Sequence, residues 1–501
     1  MPIGFNTIPA NLVAPIFAFE VNSGGQYEAS SRLVLLGHKT TAGSLAAATP
    51  ARVSSLQEAA ALTGPGSMLY NMWVMARRQA PVQDIWVVPV AETGAAATWT
   101  ITVGTVPAAG GFGLLDVEGE RLGVTVVAGD SATTVAASIA AAINGMYDPL
   151  TGAMLHVTAA SASNVVTVTA RHTGALSGET DIHIPTDSPN VFATSWLTIA
   201  SGVAGSGVPT LTAALAALGD DPADMIVLPW TDSTSLDAVA TALNDTSGRW
   251  APQRMSFGHA LGVATGNTGT LTSLGLGRND RHITVAGRLA STPTPSWIMA
   301  AGFAAAQFLW LQDVTLGNVS RNQTNRAVLG LKPPRDRSIW PAYATRDALL
   351  RSGISTWQVD PFGTVMIDKF ITMNRLGAFG QPDTTFRDIQ SMFQASGGLA
   401  FIKASWQAAH GQKALADRNP RALLALTTFE AQAATIIAAY IELCARGVFE
   451  NPEWFAKNLR VERDPQNPAR TNAYLPIDRV NPGDIFAANA TFYAQAPALA
   501  A

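Results

Sequence analysis

Seven histidines, His38, His156, His172, His183, His259, His282 and His410, and one cysteine, Cys444, are the side chains best suited to proton transfer, metal binding or nucleophilic attack. No two of the histidines have the spacing of metal ligands on a helix. A lone thiol can neither close an internal disulfide nor supply the two or more thiolates of a structural zinc site. The serine-hydrolase elbow, the P-loop, the zinc-protease helix motif and a dinucleotide glycine fingerprint are all absent. The nearest glycine cluster, Gly275 and Gly277 in LGLGRND, lacks the third glycine and a preceding strand, and reads as a loop. His259 and His282 stand near the ends of expected strands. They are candidate general bases, because ligands bind beyond the carboxyl ends of parallel strands; a hydrogen-bonded loop or interface histidine is the preferred reading. The densest basic cluster, Lys332, Arg335 and Arg337 in KPPRDR, is broken by Asp336 and by two prolines, which suits an exposed interface loop better than a phosphate site. The tryptophans are scattered, as core and contact residues would be. No catalytic residue, cofactor or metal ion is expected.

Only 14% of the 501 residues are charged, while 48% are hydrophobic. An ordinary soluble protein carries about 25% charge, so the shortage points to surface buried between subunits. Thirty-two basic against thirty-six acidic residues give a net charge of −4, which leaves no general electrostatic footprint for nucleic acid. The opening MPIGFNTIPANLVAP has neither the basic patch nor the apolar core of a secretory signal, so the mature chain is expected to start near Met1. The apolar run from Trp297 to Leu311 is too short to span a bilayer and reads as a buried helix.

Strand signals at Leu33 to Gly37 and Ile85 to Val90, with a helical pattern around Leu56 to Arg78 between them, make a βαβ unit. From Thr98 to Ala200 the composition shifts to Thr, Val, Ala, Gly and Ser. Alternating strands are expected there at Thr98 to Val103, Gly123 to Val127, Val165 to Thr169 and Asp181 to Ile184, with one helix at Thr133 to Asn144. The alternation of helix and strand then resumes: Leu211 to Leu218 helical, Met225 to Leu228 strand, Ser235 to Leu243 helical, Ser256 to Leu261 strand, Ile283 to Ala286 strand, Trp297 to Leu311 helical. This predicts an α/β fold whose doubly wound parallel sheet is split in sequence by a mainly β insertion. Long helices at Thr384 to Gln407 and Pro420 to Arg446, then a strand at Lys457 to Arg463, predict an α+β C-terminal domain. The expected divisions are an N-terminal arm (1–31), the α/β core (32–95 and 202–370), the β-rich insertion (96–201), the C-terminal domain (371–482) and a C-terminal arm (483–501). Each arm carries a half-apolar strand pattern. Phe17, Phe19 and Val21 share one face at the start, with Glu20 on the other, and Phe486, Ala488, Ala490 and Phe492 share one face at the end.

The segments FNTIPANLVAPIFAFEV (5–21) and NPARTNAYLPIDRVNPGDIFAANATFYAQ (467–495) resemble the contractile tail sheath proteins of Mu-like bacteriophages, within the myovirus and tailocin sheaths. The likeness extends more loosely over the whole chain. It implies a structural protein with no enzyme activity, whose core is subtilisin-like in fold only. It further implies hexameric rings that stack as a helical polymer around a tail tube and contract to drive the tube through the host envelope. The implied partners are further copies of the chain, the tail tube protein, and baseplate and tail terminator proteins, with no direct contact to nucleic acid or membrane. The implied location is the virion tail, after assembly in host cytoplasm. On this reading the two arm strands are donated to neighbouring subunits, and the insertion projects outward. The charges expected on the Pro420 to Arg446 helix, Arg421, Glu430, Glu442 and Arg446, are tube-facing candidates, with an ordinary solvated helix face as the competing account. An α/β hydrolase-like enzyme and a phage surface or adhesion protein, the latter suggested by the Thr and Gly rich insertion, are the alternatives.

Overall fold

The computed structural model describes residues 31–492, apart from 194, 195 and 290. The uninterrupted apolar runs LVLLG and MIVL can only be buried on both faces, and they form the centre of a six-stranded sheet. Its order is Ile283–Arg288, His259–Thr265, Met225–Leu228, Arg32–Gly37, Asp84–Pro89 and Ala51–Arg52. The first five strands are parallel, and the two-residue Ala51–Arg52 strand pairs antiparallel at the edge. Leu33 lies opposite Met225 on one side and Ile85 on the other. The chain therefore starts mid-sheet, moves outward one way to Asp84–Pro89, then returns to build outward the other way. All of Met225–Leu228 and the last five residues of Arg32–Gly37 are buried, as a doubly wound sheet covered on both faces requires. The Met68–Gln79 and Ser296–Leu311 helices share one face. Trp297, Phe303 and Phe308 of the second are fully buried. No helix among the described residues is long and apolar enough to cross a membrane.

Several elements differ from the sequence expectation for local reasons. The helix expected from Leu56 to Arg78 is two helices, Leu56–Thr63 and Met68–Gln79, because Gly64 turns with φ 83° and the Ser67 hydroxyl caps the second by accepting from Tyr70 N. The strand expected at Ser256 to Leu261 starts only at His259, since Met255 and Phe257 hold left-handed φ values of 47° and 48°. LGLGRND is not a loop at its start: Gly275 lies in the Thr268–Leu276 helix and Gly277 is its C-cap. A side chain at 275 would place its Cβ 2.2 Å from the Ser352 carbonyl oxygen, so close packing, not a ligand, explains that glycine.

The inserted region forms a four-stranded antiparallel sheet (Leu197–Ser201, Thr98–Val103, Val165–Ala170, Val157–Ala162) and a three-stranded one (Glu120–Val126, Gly111–Val117, Ile182–His183). The Ala132–Asn144 helix packs between them. Residues 97–197 bury a cluster of their own, including Ile101, Val103, Val124, Ile139, Val166 and Phe192. Entry and exit close on each other where Ala95 bridges Ser206, and Gly94, at φ 84°, passes so near Ser206 O that a Cβ would lie 1.7 Å from it.

One continuous cluster serves both the sheet and the C-terminal helices Ile389–His410 and Phe429–Ala445. The second of these starts nine residues later than expected, at the Thr428 cap, so Arg421 is not on it and lies in an exposed loop. The strand expected at Lys457 to Arg463 is the Pro452–Asn458 helix followed by Arg460–Arg463, which pairs with Thr471–Tyr474. The chain on either side of this hairpin is held down: Tyr440 Oη donates to the Glu450 carbonyl at 2.8 Å and accepts from Asp478 N at 3.0 Å.

Candidate functional sites: a buried histidine seam and the root of the C-terminal arm

The order of the strands reverses between Arg32–Gly37 and Met225–Leu228, and the carboxyl ends of such a pair are where α/β folds usually bind ligands. Here protein fills the crevice. His38 follows the first strand and Trp230 the second, with ring centroids 4.9 Å apart. The inserted region contributes His172, 6.0 Å from His38, and His156, 5.5 Å from His172. Trp297, at the start of the buried helix, meets both inserted histidines edge-on at 5.8 and 5.1 Å. All five rings are at most 3% exposed. His38 Nδ1 bonds the Val90 carbonyl at 2.9 Å. Neither ring nitrogen of His172 has a hydrogen-bond partner among the described residues, and burial together with the two neighbouring histidines holds its pKa well below the usual value.

His156 stands between Thr180 and Glu118, in the order of a nucleophile, base and orienting carboxylate. Its Nε2 is 2.8 Å from Thr180 Oγ1, and its Nδ1 is 2.8 Å from Glu118 Oε1. The second contact is close but not aligned as a hydrogen bond. Thr180 is 8% exposed and His156 fully buried. Glu118 alone lines a cavity, of about 90 Å³, shared with Asn71, Met75, Arg78 and Lys332. A substrate carbonyl has no approach to the hydroxyl along such a buried line, so the arrangement serves to close the seam between insertion and core. Other ties do the same. The Glu179 carboxylate accepts from Ser296 N at 2.6 Å, at the positive end of the buried helix, and from Thr265 Oγ1 at 2.5 Å. Lys332 Nζ reaches Gly119 O at 2.6 Å and Glu120 at 2.8 Å, and Arg335 pairs with Asp181 and His183. The KPPRDR cluster thus serves an interface within the chain.

The two candidate general bases are on the wrong edge of the sheet. His259 opens its strand and His282 immediately precedes the next, so both sit at amino ends, away from the crevice. His259 is 1% exposed, with Nε2 2.8 Å from Thr284 Oγ1, and burial pushes its pKa down to about 3. His282 pairs with Asp245 at 3.2 Å. The Cys444 thiol is half-buried, and burial with nearby carboxylates pushes it up to about 11. Among the described residues no group of His, Cys, Asp or Glu is placed to hold a metal ion.

The C-terminal arm leaves the body at a defined point. Lys369 Nζ lies between Asp388, at 3.0 Å, and Asp484, and Asn322 Nδ2 donates to the Gly483 carbonyl at 2.8 Å. Beyond it residues 485–492, which carry the expected apolar alternation, form no strand in the isolated chain. Phe486 and Phe492 are each 94% exposed, and Ala488 and Ala490 are exposed too. Phe17, Phe19 and Val21 lie outside the described residues. Of the tube-facing candidates, Glu430 is exposed in the first turn of the Phe429–Ala445 helix, while Glu442 pairs with Arg446 at 2.9 Å and Arg446 stacks on Phe401. Sequence reasoning missed the arm's root and the histidine seam, whose members lie tens to hundreds of residues apart and carry no local signal.

Residues 204–373 match the family described as "Phage tail sheath protein central domain". The chain therefore carries a phage tail sheath domain, the class that the terminal segments implied. More particularly, it is 28% identical over 502 aligned positions to the Mu-like prophage FluMu tail sheath protein of Haemophilus influenzae, covering 97% of this chain and 99% of the relative. Two crystal structures of sheath tail proteins are similar at 13% identity and a TM-score of 0.48. The one from Desulfitobacterium hafniense covers 93% of this chain and 97% of its own, and the one from Listeria innocua covers 91% and 93%.

Proposed function

We propose that this chain is the structural subunit of a contractile phage tail sheath, polymerising as stacked hexameric rings around the tail tube and contracting to drive the tube through the host envelope. The observation that carries the proposal is a sheath central domain inside a chain that is similar from end to end to a phage tail sheath protein. The structure supplies support at the C-terminus. A tethered segment with two fully exposed phenylalanines gains about 1.5 to 3 kcal/mol per ring on burial, and each added ladder hydrogen bond contributes about 0.5 to 1.5 kcal/mol net. The two-stranded Arg460–Arg463 and Thr471–Tyr474 sheet has no third strand among the described residues, so its edges are open to a donated strand. The same contact repeated without closing on itself generates a helix of subunits. In this reading the α/β core is the family's subtilisin-like sheath domain, the insertion faces outward, and the partners are further copies, the tail tube, the baseplate and the tail terminator, in a virion assembled in host cytoplasm. Negative-stain microscopy of the purified protein tests it: tubes or stacked rings are expected. A dispersed monomer at all concentrations, or labelling by a serine-hydrolase probe abolished by one Ser substitution, would overturn it.

A further inference from the structure

Trp310, near the end of the buried helix, is half-buried, and two guanidinium groups lie over its indole. Arg321 Cζ is 4.0 Å and Arg326 Cζ 4.1 Å from the ring centroid. The ring's quadrupole favours each cation but neutralises neither. Some buried or half-buried arginines of this charge-poor chain find carboxylates, Arg346 with Asp368, Arg278 with Asp237 and Asp280, and Arg288 near Glu179, and others, Arg249 and Arg77 among them, give their donors to several backbone carbonyls. Arg321 and Arg326 have no ion-pair partner among the described residues. The Arg321 side chain bonds only Asn318 Oδ1, at 3.2 Å, and the Nη1 of Arg326 is buried with no acceptor. Burial and the like charge of Arg321 bring the Arg326 pKa down to about 10. Exposed Arg321 and half-buried Arg326 are thus two neighbouring cations with no counter-ion among the described residues, and a planar guanidinium fork fits a carboxylate.

We propose that Arg321 and Arg326, stacked on Trp310, form a socket for a carboxylate side chain of a neighbouring copy of this chain. The occupant follows from position. Between the two arginines, Asn322 holds the carbonyl of Gly483, where the C-terminal arm departs, and Gln390 Nε2 donates to Arg321 O at 3.2 Å from the helix that carries the arm's anchor, Asp388. The socket therefore flanks the place from which the chain reaches outward. Each copy holds thirty-six acidic residues against thirty-two basic ones, so a second copy brings carboxylates in excess. The proposal rests on the sheath reading and adds to it a charge-reading contact that would fix how one body seats beside the next.

Two experiments on the full-length chain decide it. In the first, Arg321→Ala and Arg326→Ala are compared with the parent in sedimentation assays of polymer at low and high salt. The unassembled variants should melt close to the parent, since the lost contact with Trp310 is offset by relief of the like-charge contact and, in Arg326→Ala, by removal of an unsatisfied buried donor. Their critical concentration at low salt should rise about tenfold, roughly 1.4 kcal/mol, with a shallower salt dependence. An unchanged critical concentration and salt profile overturns the socket and leaves the sheath reading intact. In the second, Arg326→Lys keeps a cation and adds a reactive amine, and a zero-length carbodiimide is applied to a mixture of isotope-labelled and unlabelled copies at high concentration. A crosslink from position 326 to an Asp or Glu of another copy is expected; crosslinks confined within one copy, or none at that position, refute the proposal. Should the parent form no polymer, the sheath reading fails and the crosslink decides the socket by itself.

Discussion

Acid should weaken the α/β core through His259, and the size of the effect can be worked from its surroundings. The ring is buried, lies 5.9 Å from the Phe393 ring, bonds Thr284 Oγ1 at 2.8 Å, and leaves Nδ1 without a partner among the described residues. Its pKa in the folded chain is about 3 against 6.5 for a free imidazole. Because the folded value is the lower one, the unfolded chain takes up the proton first. The penalty is absent above pH 6.5, grows as the pH falls below it, and is complete near pH 3. At about 1.36 kcal/mol per unit, the loss at pH 4.5 relative to neutral pH is roughly 2.7 kcal/mol from this residue. The paired substitution His259→Leu with Thr284→Val removes the titrating ring without leaving a lone buried hydroxyl. Urea unfolding followed by tryptophan emission at pH 7.5 and 4.5 measures the effect. The paired variant should recover about 2 to 3 kcal/mol of the acid loss, the rest belonging to His172, His38 and the carboxylates. If parent and variant lose the same stability on acidification, the ring is not held neutral by burial and the reasoning is refuted.

Three further outcomes are expected. Joining Ala95 directly to Gly202 should leave a soluble core that unfolds cooperatively, at a lower midpoint because His38 and Trp297 lose their cover; repeated insolubility or broadened melting by circular dichroism would show that the insertion belongs to the core. Deleting Met1 to Asn22, or the chain beyond Pro482, should give a folded body that sediments as a monomer, and normal sheaths from either truncation would end the donated-arm account. Reversing charge at Glu430 and Arg421, which make no ion pair among the described residues, should impair co-assembly with tube protein while sparing self-association, and unchanged tube capture in pull-down would clear these residues of that role.

What could be seen in the sequence follows from how local each cause is. MIVL at 225–228 and the apolar run from Trp297 allow one solution each, and both were placed to within a residue. The helix anticipated from Pro420 was too long because RALLAL has good helical propensity, while Thr428, whose hydroxyl accepts from Ala431 N, is the cap that sets the true start. The cap signal is a single Thr ahead of the first turn, and the helical propensity of RALLAL upstream masks it in the sequence. Strands such as Gly111–Val117 and Val157–Ala162 were missed because GFGLLDV and VTAASA have the wrong composition for isolated strands and are held by partners far along the chain. The histidine seam lay beyond reach for the same reason: His38, His156 and His172 meet only after the sheet has reversed direction and the insertion has folded back upon it. The apolar alternation of Phe486, Ala488, Ala490 and Phe492 was legible, whereas its partner is not a local property and the isolated chain shows none.

The filled crevice also constrains where work could come from. In many α/β proteins that notch at the sheet's reversal admits a nucleotide, and each turnover can recharge the molecule. Here His172 and Trp297 occupy the notch like a cork. Nothing can be refuelled through that opening unless the whole insertion lifts away. In the sheath proposed above, any work done by a filament of such bodies would therefore have to come from the contacts between them and not from a ligand taken up at this notch.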